Sequence, residues 1–408
     1  MKYALIGEKL PHSYSKVIHE AFGLNYTLNE VEQGGVERFF KENDYDGFNV
    51  TIPYKIEVIK YIDVLSETAS RVGSVNTVKK VGGKYYGYNT DVGGMRYMLK
   101  RAGVSVKGKT ALILGSGGTS LTARALCEED GAKKYYVVSR KGEINYDNCY
   151  DLKGVEIIIN CTPVGMFPNE DACPVDITRF KNLEGVFDCI YNPDKTDLIT
   201  AAEVAGVKFS NGLSMLVMQA ALAENIWTGA KIADEEVEKV IKEIELSKTN
   251  IVLSGMPSSG KSAIGRKIAE LMNREFIDTD EEVVELSGKT PAEIIVSEGE
   301  IAFRDVETVA VKNAAKLSGA VIAIGGGGIL RDENVTALKR NGKIFFIERD
   351  LNLLTSANRP LSEKNGIEKL YNDRKDRYFS TADFTVINDK DILSAAKEVI
   401  KKYENSCN

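Results

Sequence analysis

The sequence contains only two histidines, His12 and His19, and a single tryptophan among its 408 residues. Histidine is the side chain most often used as a general acid or base, because it titrates near neutral pH. With so few histidines, we expect any acid–base chemistry to rest on lysine, aspartate or tyrosine side chains.

Cysteine is also scarce, and its six copies are scattered along the chain. They form no C-x-x-C pair and have no neighbouring histidine. This pattern is typical of reduced, mostly structural thiols in a cytosolic protein and not of a disulfide framework.

Long apolar runs, basic blocks and a signal-peptide pattern are missing as well. No apolar run reaches the roughly 18 residues that a membrane helix needs, and the opening residues, MKYALIG, are typical of a β-strand. The formal net charge is only −6, and no basic run is long enough to indicate binding to nucleic acid. We therefore expect a cytoplasmic protein without membrane or nucleic-acid partners.

The sequence does have enough length and apolar residues for several cores. Hydrophobic residues make up 43% of a length that suits two or three domains. Strand-like runs alternate with helix-like runs, which predicts an α/β fold with largely parallel sheets. An amphipathic helix is predicted over 232–246, and a short polar gap, 247–250, follows it. We place a domain boundary between residues 247 and 248.

A complete P-loop pattern opens the second part of the chain. Residues 254–262 read SGMPSSGKS, between an apolar strand-like run and a helix-like run. In this setting the backbone N–H groups around Gly255 and Gly260 can hold phosphate oxygens, and Lys261 can reach the outer phosphates. The hydroxyl of Ser262 can bind Mg²⁺.

Polar groups recur after the P-loop at the ends of predicted elements. Asp278 and Asp280 stand two residues apart after a strand, so both are expected on one side. Arg304 and Glu307 share a helix face at i and i+3. The strand 320–324 ends in four glycines, 325–328, which lets the backbone approach a ligand closely.

In the first half, polar side chains also gather at strand ends, where binding sites of α/β proteins form. Ser13 and Ser15 follow the first strand and could hold a carboxylate, although an ordinary polar loop has the same pattern. Lys55 follows another strand, and Asn76 and Asp91 stand at the ends of further ones.

A strand, a glycine turn and a helix follow over residues 110–126. Gly115, Gly117 and Gly118 match a dinucleotide-binding turn, but Ser120 replaces its third glycine. The next strand ends in Arg140 and Lys141 instead of an acidic residue. Two cations there favour the 2′-phosphate of NADP, although they could also be ordinary surface residues.

Taken together, residues 1–247 resemble shikimate dehydrogenase. The resemblance implies a two-lobed fold, with a substrate lobe of about 1–92 plus 220–247 and a Rossmann-like NADP lobe of about 93–219. Lys55 and Asp91 would be the catalytic pair. The substrate ligands would be Ser13, Ser15, Thr51, Asn76 and Gln219, and the NADP(H) ligands Gly115, Gly117, Gly118, Arg140, Lys141, Asn160, Thr162, Tyr191, Gly212 and Met215.

Residues 248–408 resemble shikimate kinase, a P-loop fold with a parallel sheet. The resemblance implies that Lys261 and Asp280 are catalytic, and that Ser262 and Asp278 bind Mg²⁺. The shikimate ligands would be Arg304, Gly325, Gly326, Gly327 and Arg374, and the ATP ligands Gly255, Gly260, Ser262 and, from a closing lid, Arg359.

Some positions depart from these family patterns without removing a group that has direct chemistry. Glu224 and Asn225 interrupt an apolar helix, and Lys375-Asp-Arg377 replaces a stretch that usually contains proline. The lid segment 351–362 is short and has one arginine.

Together the two resemblances imply a bifunctional enzyme that reduces 3-dehydroshikimate with NADPH and phosphorylates shikimate with ATP. One alternative makes the second half a regulatory ATP-binding module. Another makes the first half act on quinate with NAD, which Ser13, Ser15 and the two cations at 140 and 141 oppose.

Overall fold

The computed structural model describes residues 1–10, 13–354 and 366–406, and it divides the chain into two compact units, Met1–Ile241 and Lys242–Asn408. The division falls inside the helix Asp234–Lys248, shortly before the boundary that we placed at 247/248. The end of this helix belongs to the second unit because Leu246 packs against its apolar core and accepts a hydrogen bond from Arg274 at 2.6 Å.

The first unit begins with a six-stranded mixed sheet in the order β2-β1-β3-β5-β6-β4. Its strands are β1 Tyr3–Gly7, β2 Tyr26–Glu30, β3 Gly47–Val50, β4 Val64–Leu65, β5 Thr77–Val81 and β6 Lys84–Tyr88. Three of its five strand pairs are parallel, as expected, whereas β5 pairs antiparallel with both β3 and β6. Gly82 and Gly83, both at positive φ, make the tight hairpin turn that this pairing needs.

The second sheet of this unit is fully parallel, in the order β11-β10-β9-β7-β8. Its strands are β7 Thr110–Leu114, β8 Lys134–Val138, β9 Ile157–Asn160, β10 Gly185–Asp188 and β11 Lys208–Ser210. The central strands β7, β9 and β10 are apolar runs that are buried along their whole length, as expected for strands covered on both faces.

The second unit is built around a parallel sheet in the order β13-β14-β12-β15-β16. Its strands are β12 Asn250–Ser254, β13 Phe276–Asp278, β14 Val321–Ala323, β15 Gly342–Glu348 and β16 Phe384–Ile387. The strand that leads into the P-loop, β12, is central, because it pairs with both β14 and β15 and is buried throughout.

Helices cover these sheets. In the first unit they are α1 Ser15–Ala21, α2 Val36–Glu42, α3 Glu67–Val72, α4 Asp91–Arg101, α5 Gly118–Glu129, α6 Asp197–Val204 and α7 Leu213–Thr228, followed by α8 Asp234–Lys248. In the second unit they are α9 Lys261–Met272, α10 Thr279–Ser287, α11 Pro291–Glu298, α12 Glu300–Ala315, α13 Asp332–Asn341, α14 Ile367–Thr381 and α15 Ile392–Glu404.

The observed layers confirm the predicted α/β fold. The strands of the two fully parallel sheets run in one direction, so the carboxyl ends of neighbouring strands meet at one edge of each sheet. Among the helices that the structure describes, none is long and apolar enough to cross a membrane.

Candidate active sites

The first unit contains a cavity of about 510 Å³. It lies where the end of β3, the start of α4 and the helix α7 meet. The predicted residues in its lining are Ser13, Ser15, Thr51, Lys55, Asn76, Asp91, Tyr191, Gly212, Met215 and Gln219. Lining residues that sequence reasoning missed include Lys9, Tyr14, Asn49, Thr119 and Cys189. The cavity therefore brings together most of the side chains predicted for the substrate and for the nicotinamide end of the cofactor.

Lys55 and Asp91 form an ion pair in this cavity. Lys55 Nζ lies 2.6 Å from Asp91 Oδ2, and the two side chains are 30% and 13% exposed. Asp91 is the first residue of α4, where the partial positive charge of a helix start favours a carboxylate. Asn76 donates to the other carboxylate oxygen at 2.9 Å. The ammonium group is thus held at one position by a carboxylate that is itself fixed.

Asn76 is the polar centre of this arrangement. Its Oδ1 accepts from the backbone N–H of Thr90 at 2.8 Å, while its Nδ2 lies 2.9 Å from Asp91 Oδ1 and 3.4 Å from Gln219 Oε1. These contacts tie the segment before β5, the start of α4 and the helix α7 together. Asn76 therefore joins residues far apart in the sequence into one site.

The two predicted carboxylate ligands lie at the start of α1. Ser15 is the first residue of that helix, and its backbone N–H donates to Ser13 Oγ at 3.2 Å. Nearby, the rings of Tyr14 and Tyr191 meet edge to face at 6.0 Å. The hydroxyls and this aromatic pair border the same cavity.

The predicted dinucleotide turn connects β7 to α5. Gly115 has φ +100, and a Cβ atom there would lie 2.9 Å from Thr162 Cγ2, so glycine is required. A Cβ atom at Gly117 or Gly118 would meet no atom within 4 Å, so there is open space at the helix start where a pyrophosphate would fit. Ser120 replaces the third glycine without harm: it is buried, and its hydroxyl donates to Gly117 O at 2.7 Å.

Arg140 and Lys141 follow β8, the parallel neighbour of β7, and both are exposed. Their location at the same sheet edge as the glycine turn fits the ribose end of a dinucleotide. The position before them is Ser139, so no acidic side chain ends this strand.

Asn160 and Asp188 end the adjacent strands β9 and β10 and are fully buried. Asn160 accepts from the backbone N–H and the hydroxyl of Thr162 and donates to Asp188 at 2.9 Å. Burial raises the pKa of Asp188 to about 6, against hydrogen bonds from Ile190, Thr196 and Asn160 that favour its ionised form. Asn160 thus fixes the turn that follows β9. Sequence reasoning missed Asp188.

In the second unit the P-loop has the geometry that its sequence predicts. Lys261 begins α9, and its Nζ donates to the carbonyl groups of Gly255 and Met256 at 2.9 and 3.0 Å. Gly255 and Gly260 have φ +145 and +99. A Cβ atom at Gly255 would lie 2.5 Å from Ile347 O, so only glycine fits this loop.

Ser262 and Asp278 meet beside the P-loop. Ser262 Oγ donates to Asp278 Oδ2 at 2.6 Å, and the other Asp278 oxygen accepts from the backbone N–H of Asp280 at 3.0 Å. Within the described parts of the chain, no group of three or more His, Cys, Asp and Glu residues could hold a metal. Mg²⁺ at kinase sites is usually held by one or two protein oxygens together with phosphates and water, and this pair of hard oxygens fits that role.

The glycine run 325–327 is surrounded by charged side chains. A Cβ atom at Gly325 would lie 2.7 Å from both Asp280 Oδ1 and Glu307 Oε1, and one at Gly327 would lie 2.3 Å from the guanidinium nitrogens of Arg304. Arg304 is mostly buried and pairs with Glu307 at 2.6 Å. The glycines therefore allow the backbone to lie directly against the predicted shikimate ligands.

Arg374 joins this group from α14. Its Nη1 donates to Gly326 O at 3.1 Å, and the hydroxyl of Tyr378 donates to the same oxygen. Arg377 instead donates to Ile329 O at 2.7 Å and pairs with Asp332. Of the two arginines, Arg374 is the one placed beside the glycine run. The predicted lid residue Arg359 lies outside the described residues.

Two further residues of the second unit, Arg349 and Asn388, were missed, and Glu307 was noted only for sharing a helix face with Arg304. Glu307 is buried, and its burial raises its pKa. Arg349 follows β15, and its Nη1 comes within 3.9 Å of the position of a Cβ atom at Gly260. Arg349 Nε is buried and has no hydrogen-bond partner among the described residues. Asn388 donates to Ser259 O at 2.8 Å. Arg349 and Asn388 thus border the P-loop from neighbouring strand ends.

Known proteins resemble both units. A family model described as shikimate dehydrogenase substrate binding domain matches residues 5–78, and one described as shikimate kinase matches residues 257–404. The chain is 37% identical over 246 residues to the shikimate dehydrogenase (NADP(+)) of Clostridium beijerinckii. The aligned region covers 55% of this chain and 91% of that relative. The shikimate dehydrogenase (NADP(+)) of Methanococcus maripaludis is 38% identical over 261 residues, with coverages of 56% and 91%.

The chain belongs to the shikimate dehydrogenase family. Among solved structures it resembles a chorismate mutase/shikimate 5-dehydrogenase fusion protein from Clostridium acetobutylicum, with 39% identity, a TM-score of 0.57 and coverage of 60% of this chain and 97% of that one. It also resembles shikimate 5-dehydrogenase of Thermus thermophilus in complex with NADP(H) and shikimate, with 28% identity, a TM-score of 0.54 and coverages of 60% and 99%. The shikimate kinase match adds a kinase domain, so the two units are called the dehydrogenase unit and the kinase unit below.

The buried Asp188 makes the stability of the dehydrogenase unit depend on pH. Its folded pKa of about 6 lies above the ordinary value of 3.8, so the folded state binds its proton more tightly than the unfolded state does. The stabilisation that the protonated Asp188 gives the folded state is fully present below pH 3.8 and is lost as the pH rises through 6. It amounts to about 3 kcal/mol at most, taking 1.36 kcal/mol per pKa unit. We expect Asp188→Asn to remove this slope.

The measurement is urea unfolding between pH 4 and 7, followed by tryptophan fluorescence. Trp227 is the only tryptophan of the chain and is buried in the dehydrogenase unit, so its signal reports on that unit alone. The control Asp147→Asn removes an exposed carboxylate and should keep the slope of the parent protein. An Asp188→Asn protein with the parent's slope would contradict the assignment.

Proposed function

We propose that this chain catalyses two consecutive reactions, the NADPH-dependent reduction of 3-dehydroshikimate to shikimate and the ATP-dependent phosphorylation of shikimate to shikimate 3-phosphate. The observation that carries the proposal is the 2.6 Å pair of Lys55 and Asp91 in a cavity lined by the predicted substrate ligands. The family matches of the two units support the pairing of these activities in one chain.

In the reduction, Lys55 acts as the proton donor. NADPH, when bound, supplies the hydride that adds to the carbonyl carbon of the substrate. Lys55 Nζ donates a hydrogen bond to the ketone oxygen and transfers its proton as negative charge develops there. Asp91 holds the ammonium group in position, and Asn76 holds Asp91. The proton that leaves Lys55 is replaced from solvent.

Other residues of the dehydrogenase unit would position the two reactants. Ser13 and Ser15 would bind the substrate carboxylate, and Thr51, Asn76 and Gln219 its hydroxyls. The glycine turn and the start of α5 would hold the pyrophosphate, and Arg140 and Lys141 the 2′-phosphate. Asn160 and Thr162 would shape the cofactor edge, and Tyr191, Gly212 and Met215 would border the nicotinamide.

In the phosphorylation, Asp280 acts as the base toward the attacking hydroxyl of shikimate. Arg304 and Arg374 would clamp the substrate carboxylate, while Gly325, Gly326 and Gly327 line its ring. Lys261 would turn from backbone carbonyls to the outer phosphates. Mg²⁺, when bound by Ser262 and Asp278, supplies positive charge to the phosphate oxygens. Asp280 lies against Gly325, so base and ring-binding backbone are adjacent, as catalysis requires and a purely regulatory ATP-binding module does not.

The cytoplasm is the proposed location. The described helices include no membrane span, and the free cysteines Cys127, Cys149, Cys161, Cys173 and Cys189 form no disulfide. Free thiols at these positions suit a reducing compartment. Its partners would be small molecules, namely 3-dehydroshikimate, shikimate and the two cofactors.

The central test separates the two activities. Lys55→Ala should lower the kcat of reduction by roughly 100-fold or more, because the proton donor is lost, and leave phosphorylation of supplied shikimate unchanged. Asp280→Asn should do the reverse. Reduction is followed by NADPH absorbance and phosphorylation by ADP release, with Lys84→Ala, an exposed lysine, as control. If either change silenced both activities in a folded protein, the assignment would be wrong.

Arg140 sets the expected preference for NADPH. A charge-assisted contact contributes about 1.5–3 kcal/mol, so Arg140→Ala should raise the KM for NADPH roughly tenfold or more. The KM for NADH should stay unchanged, because NADH lacks the 2′-phosphate. Lys133→Ala, an exposed lysine before β8, is the matched control. Equal use of NADPH and NADH by the parent protein would refute the preference.

Arg349 is expected to contribute to ATP binding. Its guanidinium borders Gly260 and has a buried, unpartnered Nε among the described residues, so a nucleotide phosphate would give it a partner. Arg349→Ala should raise the KM for ATP about tenfold, on the scale of one charge-assisted hydrogen bond. The KM for shikimate should not change. Lys343→Ala, at the opposite end of β15, should leave both constants at the parent values; a similar effect from both substitutions would argue against a local role.

A further inference from the structure

A buried pair of ionisable groups lies behind the substrate cavity, and the proposed chemistry does not use it. His19 on α1 is fully buried, and its Nδ1 lies 2.8 Å from Oε1 of Glu224 on α7. Glu224 is itself only 3% exposed. This glutamate is the residue that interrupts the apolar helix pattern in the sequence. In the structure its carboxylate faces the ring of His19.

The hydrogen bonds of Asn49 determine which nitrogen of His19 carries a proton. Asn49 Nδ2 donates to Asn76 O at 3.1 Å and to Thr77 Oγ1 at 3.0 Å. Its Oδ1 accepts from Tyr26 OH at 2.7 Å and faces His19 Nε2 at 3.0 Å. An amide oxygen can only accept hydrogen bonds, so His19 Nε2 must carry the hydrogen.

A second proton must then lie between His19 and Glu224. With Nε2 protonated, the 2.8 Å contact between Nδ1 and Oε1 needs one proton, on either the nitrogen or the oxygen. Without it, the lone pair of Nδ1 faces a carboxylate in a buried site. Moving the Nε2 hydrogen to Nδ1 would relieve this contact, but Nε2 would then oppose the oxygen of Asn49. Loss of the proton therefore either leaves this repulsion in the buried site or, through the tautomer change, removes the hydrogen bond that Asn49 accepts from His19.

Asn49 connects the protonation state of the His19–Glu224 pair to the substrate cavity. Its amide supports the carbonyl group of Asn76, whose side chain fixes Asp91. Asn49 also lines the cavity itself. The helix of His19 begins with Ser15, and the helix of Glu224 carries Gln219, so the pair joins the two helices that bear these proposed substrate ligands.

The other titratable groups near the pair do not share its role. Tyr26 stacks on His19 with ring centroids 4.1 Å apart, and burial raises the pKa of Tyr26 well above its ordinary value. Burial likewise raises the pKa of Tyr3, which stacks on Trp227. Burial is the main cause that raises the pKa of Glu224, and the negative charge of Glu236 adds to it. Both tyrosines stay neutral across the range in which enzymes are usually assayed.

We propose that the proton shared by His19 and Glu224 is a positioning device for the 3-dehydroshikimate site. While it is held, His19 donates to Asn49, and Asn49 keeps Asn76 in place. When it is lost at alkaline pH, the site loosens and the substrate binds more weakly. The proposal rests on the proposed dehydrogenase function, but the state of the proton can be observed without any activity.

The kinetic test compares the parent protein with Glu224→Gln between pH 6 and 9.5. A glutamine amide can donate permanently to His19 Nδ1, so this variant keeps the hydrogen bond without a proton to lose. At neutral pH its KM for 3-dehydroshikimate should be within about twofold of the parent value. Toward pH 9.5 the ratio of parent to variant KM should rise at least threefold.

A change of protonation in the substrate or elsewhere in the protein affects both proteins and cancels in this ratio. Glu236→Gln, which removes an exposed neighbouring charge, should follow the parent. Parallel KM profiles for the parent and Glu224→Gln would overturn the proposal. So would a Glu236→Gln profile that matches that of Glu224→Gln, because the effect would then come from local charge alone.

Nitrogen NMR of histidine-labelled protein tests the proton directly. The chain has only two histidines, so the signal of His19 is the one that disappears in His19→Gln. We expect a protonated Nε2 at neutral pH, and a change at Nδ1 over the pH range in which KM rises. An Nδ1-only tautomer at neutral pH would overturn the proposal even if the enzyme were active. A parent protein unable to reduce 3-dehydroshikimate would instead refute the proposed function.

Discussion

Both sites depend on the pairing of buried or half-buried cations with carboxylates. A charge removed from water without a partner costs several kcal/mol, and a fold that brings catalytic charges into a cavity must therefore supply their counterions. Lys55 is paired with Asp91 and Arg304 with Glu307. Each pair joins a group proposed to contact the substrate with one that holds it in place. The geometry of the reacting groups is thus set by the same contacts that make their burial possible.

The sheets provide the second condition, since they bring sequence-distant residues to one edge. In the kinase unit, β12 leads into the P-loop, β13 ends in Asp278, β14 leads into the glycine run and β15 is followed by Arg349. Parallel register places these ends side by side. Polar groups with different proposed roles therefore converge at one edge of this sheet.

The sequence was sufficient for the α/β class and for locating the P-loop, because those signals are local runs with strict spacing, while the roles of the site residues stay predictions. It was insufficient where a partner lies far along the chain. His19 and Glu224 are 205 residues apart, and neither has a local pattern that points to the other. Arg374 and Arg377 lie one helical turn apart, so only packing decides which one reaches the glycine run. The antiparallel β5–β6 hairpin was not predicted, because its signal in the sequence is a two-glycine turn.

The close approach of Gly327 to Arg304 affects how substitutions at this glycine should be interpreted. The guanidinium occupies the space that any side chain at position 327 would need, because a Cβ atom there would lie 2.3 Å from two of its nitrogens. A side chain at position 327 would therefore have to displace the guanidinium of Arg304, whether or not a ligand is bound. If substitutions at this position lower activity in a mutational scan, the cause can be the displaced guanidinium. Such a loss would not by itself identify a residue that contacts shikimate.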